Sequence, residues 1–331
     1  IDVGGTKRPV KFISYDDQSD FSKAPVIYEK LITDDKVDLL LAPWGTPFHF
    51  SVVGILEKYQ FPMVGNSAAS VTIRDIKPGN IWFPTSAIPD RLAAKLVNFL
   101  QAQKAKTVAI STLQLPFSLE VKKFLMPALE SSGLKVVVND EYAPDVKDLT
   151  ATLTKIKQAA PDAVLMLCYP PDGVLYLKGA RELGIDSRFQ LLLVGPADPF
   201  FEKTFGPNLD GIVTMGHWSP FQAKWPKARP FYDAYVKKFN EPPDYLDSAL
   251  AWMSIEILEQ AVKTAGLDKA KIRQAISTET FDTINGPVKF KGVENVITPT
   301  MFLQFQKGQA QIVWPASEAT AAFEPKPACS Q

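Results

Sequence analysis

The sequence is poor in the residues that most chemistry needs. It has only two cysteines, Cys168 and Cys329, and two histidines, His49 and His217. Two cysteines are too few for a disulfide scaffold or a cysteine metal site, and two histidines argue against a histidine-based one. Cys168 reads as a small residue at the end of a buried strand. Neither histidine lies in a triad context, and no Gly-x-Ser-x-Gly elbow occurs, so nucleophilic catalysis lacks its usual base. No Gly-x-Gly-x-x-Gly follows a strand and no Gly-x-x-x-x-Gly-Lys is present, which leaves a nucleotide pyrophosphate without a cradle. Excess charge of either sign is missing: Lys plus Arg and Asp plus Glu both number 36. That balance argues against a nucleic-acid partner or a polybasic membrane contact. Apolar runs approaching the roughly 20 residues that cross a bilayer are also absent.

What is present is an alternation of short apolar runs with helix-periodic segments. With 46% hydrophobic and 22% charged residues over 331 positions, the composition is that of a globular protein large enough for about two domains. The stretch from Val37 to Val64 shows the pattern most plainly. Val37 to Leu41 reads as a strand buried on both faces. Val52, Ile55, Leu56 and Tyr59 then share a helical face, and Phe61 to Val64 reads as a second strand. Together they make one βαβ unit.

The junction inside that unit is the first candidate site. Thr46 followed by Pro47 reads as an N-cap and first helical residue, and Gly45 permits a sharp turn or a close approach. The loop leaves the carboxyl end of a sheet strand, where open α/β sheets bind ligands. N–H groups of the first helical turn favour an anion. Trp44, Gly45 and Thr46 therefore form a candidate carboxylate site, against the plainer reading that Thr46 only caps a helix. The small residues from Gly65 to Ser70 either let a ligand touch backbone or merely make a turn.

Elsewhere, Arg8 to Tyr15 reads as a strand ending in Asp16-Asp17, taken as a solvated strand end. A helix follows over residues 22–32. Strands are expected at 81–85, 107–111, 134–138, 163–167, 191–194 and 211–215, with helices between them and Ser118 capping one. Residues 86–90 and 216–220 read as crossovers between lobes. Two helices then carry Phe231, Tyr235 and Phe239, and Leu250, Ile257, Leu258 and Val262. The end turns to β at 286–290, 300–306 and 311–314, and the tail after Pro315 reads as a surface wrap. The class is α/β with doubly wound, parallel-sheet lobes.

The order and spacing of these loops resemble the type I periplasmic solute-binding proteins of ABC importers, in the leucine/isoleucine/valine-binding branch. The resemblance rests on Lys11 to Asp17, Asp35 to Gly65, Lys147-Asp148-Leu149 through Gly184, Gly195-Pro196 and Ile284-Asn285-Gly286-Pro287. It implies two three-layer lobes, residues 1–87 with 217–298 and residues 88–216 with 299–331, closing on a ligand by a hinge. It implies that Gly45-Thr46 and Ser67-Ala68-Ala69 hold the ligand carboxylate, with Ser70 as the alternative to Ser67. From the second lobe it implies two aromatic positions, Tyr169 and Phe117, the latter a ring without the family's hydroxyl. Amino-acid binders of the family carry an acidic residue just after Gly-Pro to pair with the ligand ammonium; here that residue is Ala197, with Asp198 next. An ammonium buried without a carboxylate costs several kcal/mol. Either Asp198 swings in, or the ligand has no amino group.

The resemblance further implies no enzymatic activity, no cofactor and no metal. The expected partners are a small carboxylate or amino acid and a membrane permease, with the protein a monomer, periplasmic or lipid-anchored. Family members also carry a strand and helix before the position of Ile1, so about 30 to 45 further N-terminal residues are expected, roughly half of a βαβ unit. The alternatives from other classes are a ligand-sensing receptor or regulator domain of the same fold, and an enzyme on a doubly wound scaffold.

Overall fold

The computed structural model describes residues 1–328. The chain divides into two compact units, Ile1–Ile88 with Asp247–Thr298, and Pro89–Leu246 with Pro299–Gln331.

The first unit is built on three short parallel strands, Leu40–Leu41, Met63–Val64 and Ile81–Trp82, in that order. Alternation along each strand sorts its residues into two cores. Leu40, Met63 and Ile81 pack with Ala24, Tyr28, Val52 and Leu56, from the helices Ala24–Thr33 and Thr46–Tyr59. Val64 and Trp82 pack on the other face with Leu250, Met253 and Ile257, and with Ile272 and Ile276. These come from the helices Asp247–Ala265 and Lys269–Thr278. One sheet with helices on both faces is the three-layer arrangement expected of the sequence.

Two local expectations fail in this unit. Residues 8–15 do not form a strand. They are irregular and exposed, Phe12 by 72%, and only Asp2–Val3 and Thr6–Lys7 pair, as a hairpin. A β-prone run becomes a strand only where a neighbour takes its backbone hydrogen bonds. Asp16 and Asp17 accordingly end no strand; their carboxylates accept the N–H groups of Gln18 and Ser19 in successive turns. The helix Lys269–Thr278 and the strand Thr280–Thr283, which pairs with Gly286–Lys291, lie where no element was expected. The signals were there: Asp268 caps the helix by accepting from Lys271 N–H, and Ile272 and Ile276 share a face.

The second unit holds a seven-stranded sheet. Its order is Gln309–Trp314, Met301–Gln306, Ile212–Gly216, Phe189–Leu192, Ala163–Leu167, Thr107–Leu113, Lys135–Tyr142. The five strands from Ile212–Gly216 to Lys135–Tyr142 are parallel, and the two C-terminal strands add antiparallel. Ala163–Leu167 is wholly buried, as a five-residue apolar run should be at the centre of a parallel sheet. Ser118 does not cap a helix. The helix begins earlier, as Pro116–Ser131 with Leu115 at the N-cap, and Ser118 is fully buried within it.

Residues 217–246 belong to this unit, not with residues 1–87. His217 N–H donates to Tyr245 C=O, and Tyr245 N–H to Ala197 C=O. Ser219 Oγ donates to Ala310 C=O, and Lys224 pairs with Glu318 at 2.7 Å. The chain therefore changes unit at 246/247, so 216–220 is no crossover. The tail does more than wrap the surface: Phe323 packs 5.6 Å from both Phe99 and Phe189, and Lys326 N–H donates to Arg188 C=O. Cys329 lies outside the described residues. Among the described residues no helix is long and apolar enough to cross a membrane.

Candidate functional site

The first unit supplies a site made of two loops. The helix Thr46–Tyr59 has its N-cap at Gly45 rather than Thr46, with Pro47 at the second helical position. Gly45 takes φ +84° and ψ 151°, a region that side chains disfavour strongly. With Gly45 turning the chain, Thr46 is released from capping its own helix. Its Oγ1 accepts the Ala69 N–H at 3.0 Å instead. In the other direction, Gly45 N–H donates to Ser67 Oγ at 2.8 Å. Ser70 caps the short turn Val71–Asp75 by accepting from Thr72 N–H, so the loop contact to Gly45 comes from Ser67.

Hydroxyls that accept can still donate. Thr46 Oγ1–H, with the Thr46 and Phe48 N–H groups of the first helical turn, makes a donor set suited to a carboxylate. Ala68 and Ala69 are buried, so their side chains serve the packing of the loop. Trp44 presents 53% of its surface to solvent beside these donors.

The sequence reading missed His49. It is fully buried, with Nδ1 2.8 Å from Gly45 O and Nε2 3.1 Å from Asn66 N. Asn66 N–H can only donate, so Nε2 is the bare nitrogen and Nδ1 carries the proton. Burial lowers its pKa from 6.5 to about 4, so the ring is neutral at pH 7. The available signal was the i to i+4 spacing from Gly45, which places the ring under the loop.

The second unit supplies aromatic and apolar groups from three neighbouring strands. Phe117 and Tyr169 follow strands Thr107–Leu113 and Ala163–Leu167, which pair in parallel, and Ala197 follows the next strand, Phe189–Leu192. All three therefore sit at the carboxyl ends of adjacent strands. Tyr169 is the N-cap of the helix Pro170–Leu183, and its N–H donates to Asp172 Oδ1 at 3.1 Å. Tyr142 Oη–H donates to the other carboxylate oxygen. Burial pushes the Asp172 carboxyl up while these two donors pull it down. Gly195 takes φ +131°, and a Cβ there would lie 2.9 Å from Phe201 Cζ and 3.3 Å from Pro170 Cα.

Ala197 is buried. Asp198 does not turn inward: it is exposed, and its Oδ1 accepts Phe200 N–H at 2.8 Å as the N-cap of the helix Pro199–Phe205. Among the described residues no group of three or more His, Cys, Asp or Glu could hold a metal ion.

Gly45 lends itself to a direct test. A Cβ there meets nothing nearer than Phe48 Cδ2 at 4.0 Å, so Gly45→Ala carries a backbone penalty without a clash. Urea titration is expected to show a loss of about 1–3 kcal/mol. An unchanged midpoint would mean that the loop relaxes without strain.

The sequence profile of the periplasmic binding proteins matches residues 2–310, and the chain belongs to that family, in its type I, leucine/isoleucine/valine-binding-like branch. Proteins of this family bind solutes and are not enzymes. A leucine-, isoleucine-, valine-, threonine- and alanine-binding protein of Pseudomonas aeruginosa is 24% identical over 285 residues, covering 84% of this chain and 74% of that protein. Against Leu/Ile/Val-binding protein homologues of Brucella, the match spans about half of their length. Two solved structures share the fold. An ABC-transporter solute-binding protein of R. palustris in complex with benzoate has TM-score 0.80 at 20% identity, over 97% of this chain and 87% of that one. The branched-chain amino acid transporter substrate-binding protein LivJ of Streptococcus pneumoniae, in complex with isoleucine, has TM-score 0.81 at 20% identity, over 95% and 89%.

Proposed function

We propose that this chain is the extracytoplasmic solute-binding component of an ABC importer, acting as a monomer that delivers its ligand to a membrane permease. Its ligand is a small carboxylate with an aromatic or apolar body and no amino group. The observation that carries the ligand class is the pair Ala197 and Asp198. Ala197 is buried where amino-acid binders carry an acid, and the Asp198 carboxylate is held by the helix it caps. An ammonium entering beside Ala197 would meet no counter-charge from this loop, at a cost of several kcal/mol. The carboxylate goes to the donors of Thr46 and the first helical turn. For an apolar or aromatic ligand body, the first unit offers the Trp44 ring, and the second unit by itself offers the rings of Phe117 and Tyr169.

The second reading, a branched-chain amino acid in the same site, is favoured by what the Pseudomonas relative is named for. A thermal-shift panel separates the two. Ligand at 100 times its dissociation constant adds about 2.7 kcal/mol, several degrees for units of this size. Benzoate and leucine are the probes. A shift with benzoate alone is the expected result. A shift with leucine alone replaces the ligand class, and no shift with either, or with their close analogues, removes the carboxylate reading.

A further inference from the structure

We propose that His49 is the positioning residue of the carboxylate loops: its neutral imidazole clasps the Gly45–Thr46 peptide to the Gly65–Asn66 peptide, and that clasp aims the donors on which ligand affinity depends. The inference rests on the carboxylate reading above and adds a residue that cannot itself reach a ligand, since the ring is fully buried.

Peptide planarity carries it. Gly45 C=O and Thr46 N–H belong to one rigid plane and point in opposite directions. His49 Nδ1–H holds the Gly45 oxygen at 2.8 Å, and His49 N–H reaches the same oxygen at 3.3 Å. Fixing that oxygen fixes where the Thr46 N–H points. The second peptide is held at both ends: Gly65 O accepts from Ser254 Oγ at 2.5 Å, and Asn66 N–H donates to His49 Nε2 at 3.1 Å. The next residues, Ser67 and Ala69, then meet Gly45 N–H and Thr46 Oγ1. The fit around the ring is close, since a Cβ on Gly65 would lie 3.1 Å from His49 Cδ2. Gly45 turns the chain in a conformation open to glycine, and with no side chain of its own to hold it there the clasp does so.

Three variants separate positioning from packing. H49F keeps a ring and neither polar contact. H49N places an amide near the Nδ1 position and can still hold Gly45 O. H49Q reaches toward Asn66 instead. Affinity for benzoate and for leucine is measured by calorimetry, alongside melting temperature and the 15N spectrum of the histidine ring and backbone. The expected result is an Nδ1–H tautomer in the free wild type and a displaced Thr46 amide resonance in H49F. H49F should lose at least about tenfold in affinity, and H49N should recover part of that loss, binding more tightly than H49Q. Wild-type affinity in H49F, an Nε2–H tautomer, or affinities of all three variants that follow melting temperature alone would overturn the proposal. If H49F does not fold, the H49N and H49Q comparison and the tautomer decide. If wild-type protein binds neither probe, the carboxylate reading falls separately, and the tautomer with the Thr46 resonance still tests the clasp.

Discussion

Between pH 7 and pH 4 each unit is expected to lose about 3 kcal/mol of stability through a single buried histidine. His49 serves the first unit and His217 the second; both are buried, and burial lowers both pKa values from 6.5 to about 4. Across that window the unfolded chain binds protons that the folded chain refuses. The stabilisation is complete above pH 6.5 and is lost as pH falls toward 4. The groups His49 meets are Gly45 O, Asn66 N–H, Gly65 and the Phe83 ring, and none of them titrates. Asp172, whose carboxyl is pushed up by burial, works the other way and offsets part of the loss in the second unit. The exposed carboxylates held down by neighbours, such as Glu29 and Asp148, add to the loss once pH falls into their ordinary range, at the acid end of this window. Urea titrations at half-unit pH steps check this. The slope between pH 6.5 and 4 should flatten in H49Q for the first unit and in H217Q for the second. A profile unchanged by both substitutions would mean that the folded protein accommodates the imidazolium.

Phe99→Ala should be among the most damaging single changes in the second unit, at about 3–5 kcal/mol. Phe99 is fully buried on the helix Pro89–Ala102 and joins distant parts of the chain. Its ring stacks on Trp314 at 5.1 Å with 9° between planes, meets Phe189 edge-on at 5.1 Å, and lies 5.9 Å from Phe302 and 5.6 Å from Phe323. Truncation removes the shared partner of two C-terminal strands and of the tail, so the cavity is walled by rings that cannot easily collapse into it. Hydrogen exchange should show amides of residues 301–328 losing protection before those of the first unit. Uniform loss of protection across both units, or a destabilisation under about 1 kcal/mol, would refute this assignment.

Much of the architecture was legible because it rests on local patterns. The run Ala163–Leu167 appears at the expected positions, since five apolar residues bounded by loop residues have no better solution than a central strand. Gly45, Thr46 and Pro47 announced a helix start at a strand end. The one-residue displacement of the N-cap was not visible, because it depends on Ala69 N–H competing for the Thr46 hydroxyl. Residues 8–15 had the composition of a strand but found no pairing partner, and pairing is a non-local property. Residues 217–246 join the second unit for the same kind of reason: what holds them, Ala197, Ala310 and Glu318, lies up to about a hundred positions away in sequence.

The sequence by itself determined the α/β class, the helix start around Gly45-Thr46-Pro47 and the central strand Ala163–Leu167. Each follows from residue type and short-range spacing, which act on the chain wherever it lies. Only the tertiary structure decided that Asp198 faces its own helix, that Ser67 rather than Ser70 meets Gly45, and that His49 reaches the Asn66 peptide, 17 positions further along the chain. Those outcomes turn on which donor finds which acceptor once burial removes water as an alternative partner, and that competition exists only in the folded chain.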